Sequence, residues 1–238
     1  MRAAIAFLLA LLAAPALAVT CADTAFDGRS YTICTVDPAR EGLHLFLRDS
    51  AGQPYGDFGA VETAEGALAF GMNAGMYHPD RAPVGLYVED GVQVTRLLTA
   101  DSPGNFGLLP NGVFCIAGDR AFVAETLAFA ASGQECEDAT QSGPMLVIDG
   151  AMHPRFLPDS TSRNIRNGVG TTAAGDRVVF AISNEAVTFH EFARLFRDRL
   201  GLPDALYFDG RISRLHAPAL GRSDWGAAMG PIVGVLAD

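Results

Sequence analysis

Short apolar runs punctuated by Asx-Gly pairs fill the first two-thirds of the chain, and helical periodicity enters only near its end. Leu86–Val88 and Val92–Val94 flank Asp90-Gly91, which predicts a β-hairpin because Asx-Gly tolerates the positive φ of tight turns. Met145–Ile148 before Asp149-Gly150 reads as another strand, with Asp149 a turn residue. Asp27-Gly28, Asp209-Gly210, Asn111-Gly112 and Asn167-Gly168 are further turn signals. Phe189, Phe192, Ala193, Phe196 and Leu200 recur at helical spacing. Thr188 and Glu191 supply a capping box at the start of this helix, and Gly201 and Pro203 end it. Val178–Ser183 before it and Ala205–Phe208 after it read as strands, so residues 178–209 predict a βαβ unit with its two strands parallel. A second helix is predicted over Ala121–Ala131. The expected fold is α+β: a mixed, mostly antiparallel sheet core with flanking helices and this one βαβ unit. Ser183-Asn184-Glu185 and Asp209-Gly210 would then share one end of a sheet, where open α/β sheets place ligands.

The first residues change the picture of where the protein works. Arg2, the apolar run Ala3–Leu12 and Ala16-Leu17-Ala18 form a signal-peptide pattern over residues 1–18, with cleavage near Ala18. Residues 19–238 are expected to form one domain, periplasmic or secreted. No apolar run is long enough to span a bilayer. An oxidising compartment suits the four cysteines, and Cys21–Cys34 and Cys115–Cys136 are the expected bridges because each closes a short loop; four cysteines allow three connectivities.

The formal charge is −10, which disfavours nucleic acid as a partner and requires a local basic pocket for any phosphate-bearing substrate. All 17 basic residues are arginines, so Schiff-base chemistry, a P-loop lysine and Ser–Lys catalysis are excluded. His190-Glu191 begins H-E-x-x-H, but Arg194 stands at the second histidine position. No G-x-S-x-G elbow and no G-x-G-x-x-G turn is present. No cofactor is expected, with a divalent metal left open. The chain is expected to be a monomer.

Five segments combine unusual polar residues with strand-like neighbours. They are Phe70–Tyr77 with Pro83–Leu86, Leu109–Phe114, Gln141–Gly150, Ser162–Gly170 and Ala205–Ser213. In this order they resemble the phosphodiester glycosidase family, from about Phe70 to the C-terminus, and more closely a bacterial, exported, exopolysaccharide-related branch. The resemblance implies cleavage of a bond between a sugar's anomeric carbon and a phosphate. Two departures set the chain apart as a subfamily and bear on N-acetylglucosamine specificity more than on the fold: Ala74 separates Asn73 from Gly75, and Arg211 replaces a second glycine after Asp209.

The chemistry can be argued from residue types. An oxocarbenium-like transition state needs a carboxylate near the anomeric carbon, and glycosidases usually supply two carboxyl groups. Asp209 and Glu185, at the two strand ends, are the candidates. A departing phosphate needs charge stabilisation, for which arginine is suited by its bidentate geometry; Arg166 is the candidate, with Arg163 and Arg211 behind it. Asn73, Ser142, Arg163, Ser213, Tyr77 and His78 are candidate substrate-binding residues, and Tyr77, Phe106 and Trp225 are candidate stacking surfaces. Plainer roles compete: Asn73 in a Gly-rich turn, Ser142 as a strand entry, Glu185 as a solvated loop residue, and the arginines as partners of surface acids. The function expected is an exported hydrolase of sugar-1-phosphodiesters in envelope or extracellular saccharides. A non-catalytic saccharide-binding or exopolysaccharide-assembly protein is the alternative, and a metal-dependent phosphodiesterase using Asp209, Glu185 and Asp149 a third.

Overall fold

The structure is a computed structural model that describes residues 19–237; the signal-peptide pattern lies outside the described residues. Three sheets carry the fold. The first has seven strands in the order Thr20–Phe26, Arg29–Val36, Val178–Ser183, Asn167–Thr171, Asp204–Asp209, Met145–Ile148 and Ala151–Met152. The second runs Arg222–Ser223, Leu215–Ala217, Leu68–Asn73, Ile232–Leu236 and Leu43–Phe46. The third runs Val92–Thr95, Tyr87–Glu89, Asp138–Ser142, Gly112–Ala117 and Arg120–Glu125.

Val178–Ser183 and Asp204–Asp209 are parallel, as the βαβ pattern predicts, but they are not neighbours. Asn167–Thr171 lies between them, antiparallel to both. The ends of the two outer strands therefore do share one end of the sheet. The helix between them starts at Thr188, whose side chain accepts from Glu191 N while Glu191 caps Thr188 N. It is α-helical over Phe189–Arg194 and widens to a π-helix over Leu195–Arg199.

The predicted helix over Ala121–Ala131 is only half right. Arg120–Glu125 is a strand and the helix begins at Thr126, capped by Glu125. Ala121 and Val123 are buried at period two, and that alternation outweighs alanine's helical preference. The Asx-Gly signals divide in the same way. Asp27-Gly28, Asp90-Gly91 and Asp149-Gly150 are hairpin turns with both residues at positive φ. Asn111-Gly112 and Asn167-Gly168 are not turns, because Gly112 and Gly168 lie inside strands. A Cβ on Gly168 would stand 2.5 Å from the Leu206 carbonyl oxygen, so glycine serves close strand approach there.

The sheets meet in a common core that includes Phe70, Met72, Phe114, Phe180, Leu206 and Phe208. Each such fully buried apolar side chain contributes about 1.5–3 kcal/mol. On the other face of the first sheet, Ala205 and Tyr207 pack with Phe192 and Phe196 of the helix. Both expected disulfides are formed, Cys21–Cys34 across directly opposed strand residues and Cys115–Cys136 beside the third sheet.

Leu43–Phe46 is the edge of the second sheet, and carboxylates cap its outward N–H groups and those just beyond it. Asp138 accepts from Leu45 N (3.3 Å) and Glu89 from Leu47 N (3.2 Å). Burial pushes the Glu89 carboxyl up to about 7, against the Leu47 N–H, and Asp138 and Asp90 add to the rise. The folded state therefore holds the Glu89 proton more tightly than the unfolded chain does. This contribution to stability is full below the ordinary carboxylate range and is lost as pH rises towards about 7. Glu89→Gln is expected to remove it. Melting temperatures from about pH 5 to pH 8 should fall less for Glu89→Gln than for wild type; parallel profiles would contradict this.

Candidate active site

The site is built around the end of Asp204–Asp209, a strand interior to the first sheet. Asn167 pairs with Asp209 and Gly168 with Tyr207, so Phe208 is the extra residue of a β-bulge. Ser142, fully buried, donates its hydroxyl to the Phe208 carbonyl at 3.1 Å and satisfies the group the bulge displaces. A bulge at this position re-aims the next side chain. Asp209 is 9% exposed and lines a cleft of about 790 Å³ with Tyr77, His78, Asn105, Phe106, Tyr207 and Arg211 among its walls. Its Oδ1 accepts from Gly210 N (2.6 Å) and Arg211 N (2.8 Å). Burial raises the Asp209 pKa, and these backbone donors, with that of Ile212, oppose the rise without cancelling it. Among the described residues lining this cleft, Asp209 is the only carboxylate.

Behind Asp209 two fully buried amides join two sheets. Asn167 Nδ2 donates to the Asn73 carbonyl (2.8 Å) and to Asn73 Oδ1 (3.1 Å), and Asn73 Nδ2 donates to Asn167 Oδ1 (3.3 Å). Arg214 N donates to Asn73 Oδ1 at 2.8 Å. The Ser213 hydroxyl lies 3.0 Å from the Ile165 and Asp209 carbonyls and 3.2 Å from Asn167 Oδ1. Asn73, Ser142 and Ser213 thus hold the backbone under the cleft. Of these three, Ser213 also lines a neighbouring cavity.

Arg166 is 1% exposed and sits behind Tyr207 rather than on the cleft surface. Its guanidinium lies 3.7 Å from the Phe189 ring centroid and donates to the Val187 carbonyl (2.9 Å), the Ser162 carbonyl (3.2 Å) and the Tyr207 hydroxyl (3.4 Å). It makes no ion pair with a described residue, and burial lowers its pKa. It reaches the cleft only through Tyr207. Asp209-Gly210, read from sequence as a turn signal, serves this contact: a Cβ on Gly210 would stand 2.2 Å from the Tyr207 hydroxyl.

Glu185 is turned away from Asp209. Its carboxylate accepts from Ser30 N (3.1 Å) and Arg29 Nη1 (3.0 Å), donors that hold its pKa low, and its side chain is 42% exposed. Arg163 pairs with the capping-box Glu191 at 2.7 Å. Tyr77 lines the cleft, with its hydroxyl on the Ala228 carbonyl (2.8 Å) and Arg81 5.3 Å from its ring centroid; His78 is exposed on the same wall. The structure therefore brings Asp209, Tyr77 and His78 to one cleft, places Asn73, Ser142, Ser213 and Arg166 behind it, and leaves Glu185 and Arg163 in surface ion pairs.

Four residues were not singled out from sequence. Tyr207 lies two positions before Asp209, but the bulge at Phe208 breaks the period-two alternation that would have related them. Asn167 was masked by its Asn-Gly turn reading, and Arg214 directly follows the candidate Ser213. Asn105, in a loop of small residues, carried no signal. Among the described residues no three His, Cys, Asp or Glu side chains are grouped as metal ligands.

A model of the phosphodiester glycosidase family matches residues 67–215, which include Asn73, Asn167, Tyr207 and Asp209. The Escherichia coli K12 protein YigE, described as uncharacterized, is 37% identical over 213 residues, spanning 87% of this chain and 83% of its own. The catalytic domain of zebrafish N-acetylglucosamine-1-phosphodiester alpha-N-acetylglucosaminidase, auto-inhibited by its pro-peptide, aligns with TM-score 0.62 and 13% identity over 92% of this chain and 82% of that one. A hypothetical protein from Synechocystis aligns with TM-score 0.58 and 15% identity over 91% of this chain and 61% of that one. At such identities the likeness to solved structures speaks for the fold alone. On the matched residues and the E. coli relative, the chain belongs to the phosphodiester glycosidase family.

Proposed function

We propose that the protein is an exported hydrolase that cleaves the bond between an anomeric carbon and phosphate in sugar-1-phosphodiesters of the cell envelope or extracellular saccharides. The observation that carries this reading is Asp209: a nearly buried carboxylate, aimed by a bulge into a cleft with aromatic walls, inside the segment matched by the family. Two disulfides and the N-terminal pattern support export.

In this reading the sugar lies in the cleft between Tyr77 and Tyr207, with its anomeric carbon facing Asp209. The glycosidic C–O bond breaks and its electron pair leaves with the phosphate oxygen. The Asp209 carboxylate stabilises the positive charge that develops at carbon, and water supplies the new C–O bond and releases one proton. The diester departs as a phosphate monoester, a good leaving group, so a second carboxyl acting as acid is dispensable. This suits a cleft in which Asp209 stands without a carboxylate partner among the described lining residues. Arg211, on the cleft wall, meets the phosphate. Arg166 acts as a positioning residue: by donating to the Tyr207 oxygen it leaves the phenolic proton to point to the substrate.

Asp209→Asn should reduce kcat/KM on N-acetylglucosamine-1-phosphodiesters or teichoic-type sugar phosphates by at least about 10²-fold while folding normally. Wild-type protein that binds such compounds over long incubation without releasing product would establish the saccharide-binding alternative instead. Because burial raises the Asp209 pKa and the ionised form is the working one, activity should fall as pH drops, with the midpoint of that fall above the ordinary aspartate range. A kcat/KM profile flat down to that range would contradict the assignment. Ser142→Ala leaves the buried Phe208 carbonyl without its donor, a loss of about 1–3 kcal/mol in stability. By relaxing the bulge it should also lower kcat more than it raises KM; unchanged kcat in the folded variant would dissociate Ser142 from the aim of Asp209.

A further inference from the structure

A second cavity, of about 940 Å³, adjoins the Asp209 cleft, and Arg211 and Ile212 line both. We propose that this second cavity is an anion-binding subsite for the part of the substrate beyond the scissile phosphate, with Trp225 as the platform for its next sugar. The identity of the ligand rests on the function proposed above; the existence of an anion site does not.

Charge is the first argument. Arg211, Arg214 and Arg222 line the cavity with Asp224 as their only carboxylate among the described lining residues, an excess of two positive charges on a chain whose formal charge is −10. Arg222 is already satisfied. It grips Asp224 with two bonds of 3.0 and 2.9 Å and donates to Thr32 (2.9 Å) and Asn184 (2.7 Å). Arg211, which is exposed, and Arg214, which is 5% exposed, have no carboxylate at ion-pair distance among the described residues; Asp209 acts on the first, and Asp224 and Asp57 on the second, from farther away. Arg214 donates to the Ala227 carbonyl and forms no ion pair with a described residue. Gly226 closes over it so tightly that a Cβ would stand 2.8 Å from Nη2. A nearly buried guanidinium with no carboxylate in contact is costly, and an arriving anion relieves that cost.

The second argument is Trp225. It is the sole tryptophan of the chain, it is 93% exposed, and it stands on the cavity lining. No packing demand explains a large aromatic ring there, whereas ring faces stack well on the apolar face of a sugar.

Arg211 supplies the connection. Its backbone N–H binds Asp209 Oδ1, and its side chain is part of the wall common to both cavities. A substrate that places its anomeric carbon at Asp209 and its phosphate at Arg211 must continue into the second cavity. The favoured substrate is therefore an oligomer or polymer of sugar phosphates, not a sugar phosphodiester with a short aglycone.

Trp225 makes the test direct, because all tryptophan emission reports on this cavity. The full mature chain would be titrated with an oligomer of sugar-1-phosphate repeats, the matching phosphate-free oligosaccharide, and inorganic phosphate. The oligomer should change the emission saturably and bind at least about tenfold more tightly than the phosphate-free compound, with affinity falling as salt is added. Inorganic phosphate should compete with it. Arg211→Ser, a change at an exposed position, should weaken binding by about tenfold or more. Hydrolysis of the oligomer with no change in emission would overturn the subsite and leave the catalytic reading standing. A saturable, salt-sensitive response without any hydrolysis would uphold the subsite and remove the catalytic reading. Equal affinity in wild type and Arg211→Ser would also overturn the subsite.

Discussion

Two buried side-chain amides hold the site together. Asn73 ends an interior strand of the second sheet and Asn167 begins an interior strand of the first, and their reciprocal hydrogen bonds join these sheets behind Asp209. Neither can be satisfied by water, since both are fully buried, so losing one partner would orphan the other at a cost of about 1–3 kcal/mol per group. The lock also fixes register. Asn167 lies opposite Asp209, and the bulge that follows is possible only because Gly168 lets the Leu206 carbonyl approach. Ser142 from the third sheet then closes on the bulged Phe208 carbonyl. Three sheets thus converge on one carboxylate, which is why a group so nearly buried keeps a defined direction.

Electrostatics divide the molecule into two regions. Along the helix, acids and arginines neutralise one another: Arg29 with Glu185 and Glu191, Arg163 with Glu191, Arg194 with Asp27 and Asp198. Such exposed pairs contribute little each and chiefly tie the first hairpin to the helix. Towards the cleft the pattern reverses. Arg166 and Arg214 are buried without ion-pair partners among the described residues, and their guanidinium groups are held by carbonyl oxygens and, for Arg166, by Phe189 and Tyr207. A lysine could not replace Arg166 in this setting, because the planar fork is what lets one cation reach three acceptors and stack on a ring.

Much of the fold was legible where the determining physics is local. The Thr188–Glu191 capping box and the three Asp-Gly hairpins follow from residues within a few positions of one another, and the parallel pair from the strand–helix–strand order of residues 178–209. Non-local physics defeated the sequence elsewhere. Asn167-Gly168 carries the composition of a turn, yet a neighbouring strand needs the missing Cβ. Alanine-rich Ala121–Ala131 is half strand because Gly112–Ala117 pairs with it. Asp209 could be singled out because it ends a crossover strand, whereas Glu185 lies just beyond the partner strand and is claimed by Arg29 from a distant hairpin. Burial was the least legible property: Arg166 was visible as a cation, but nothing in its neighbours announced that it would sit under Tyr207.

The central claim is that Asp209 faces the anomeric carbon of a sugar whose phosphate lies at Arg211. A crystal structure of D209N with a bound sugar-1-phosphodiester tests it most directly. The account predicts the anomeric carbon about 3–3.5 Å from the side chain at position 209, with a phosphate oxygen on the Arg211 guanidinium. A sugar bound elsewhere, or a phosphate seated against position 209 with the anomeric carbon turned to solvent, would contradict it.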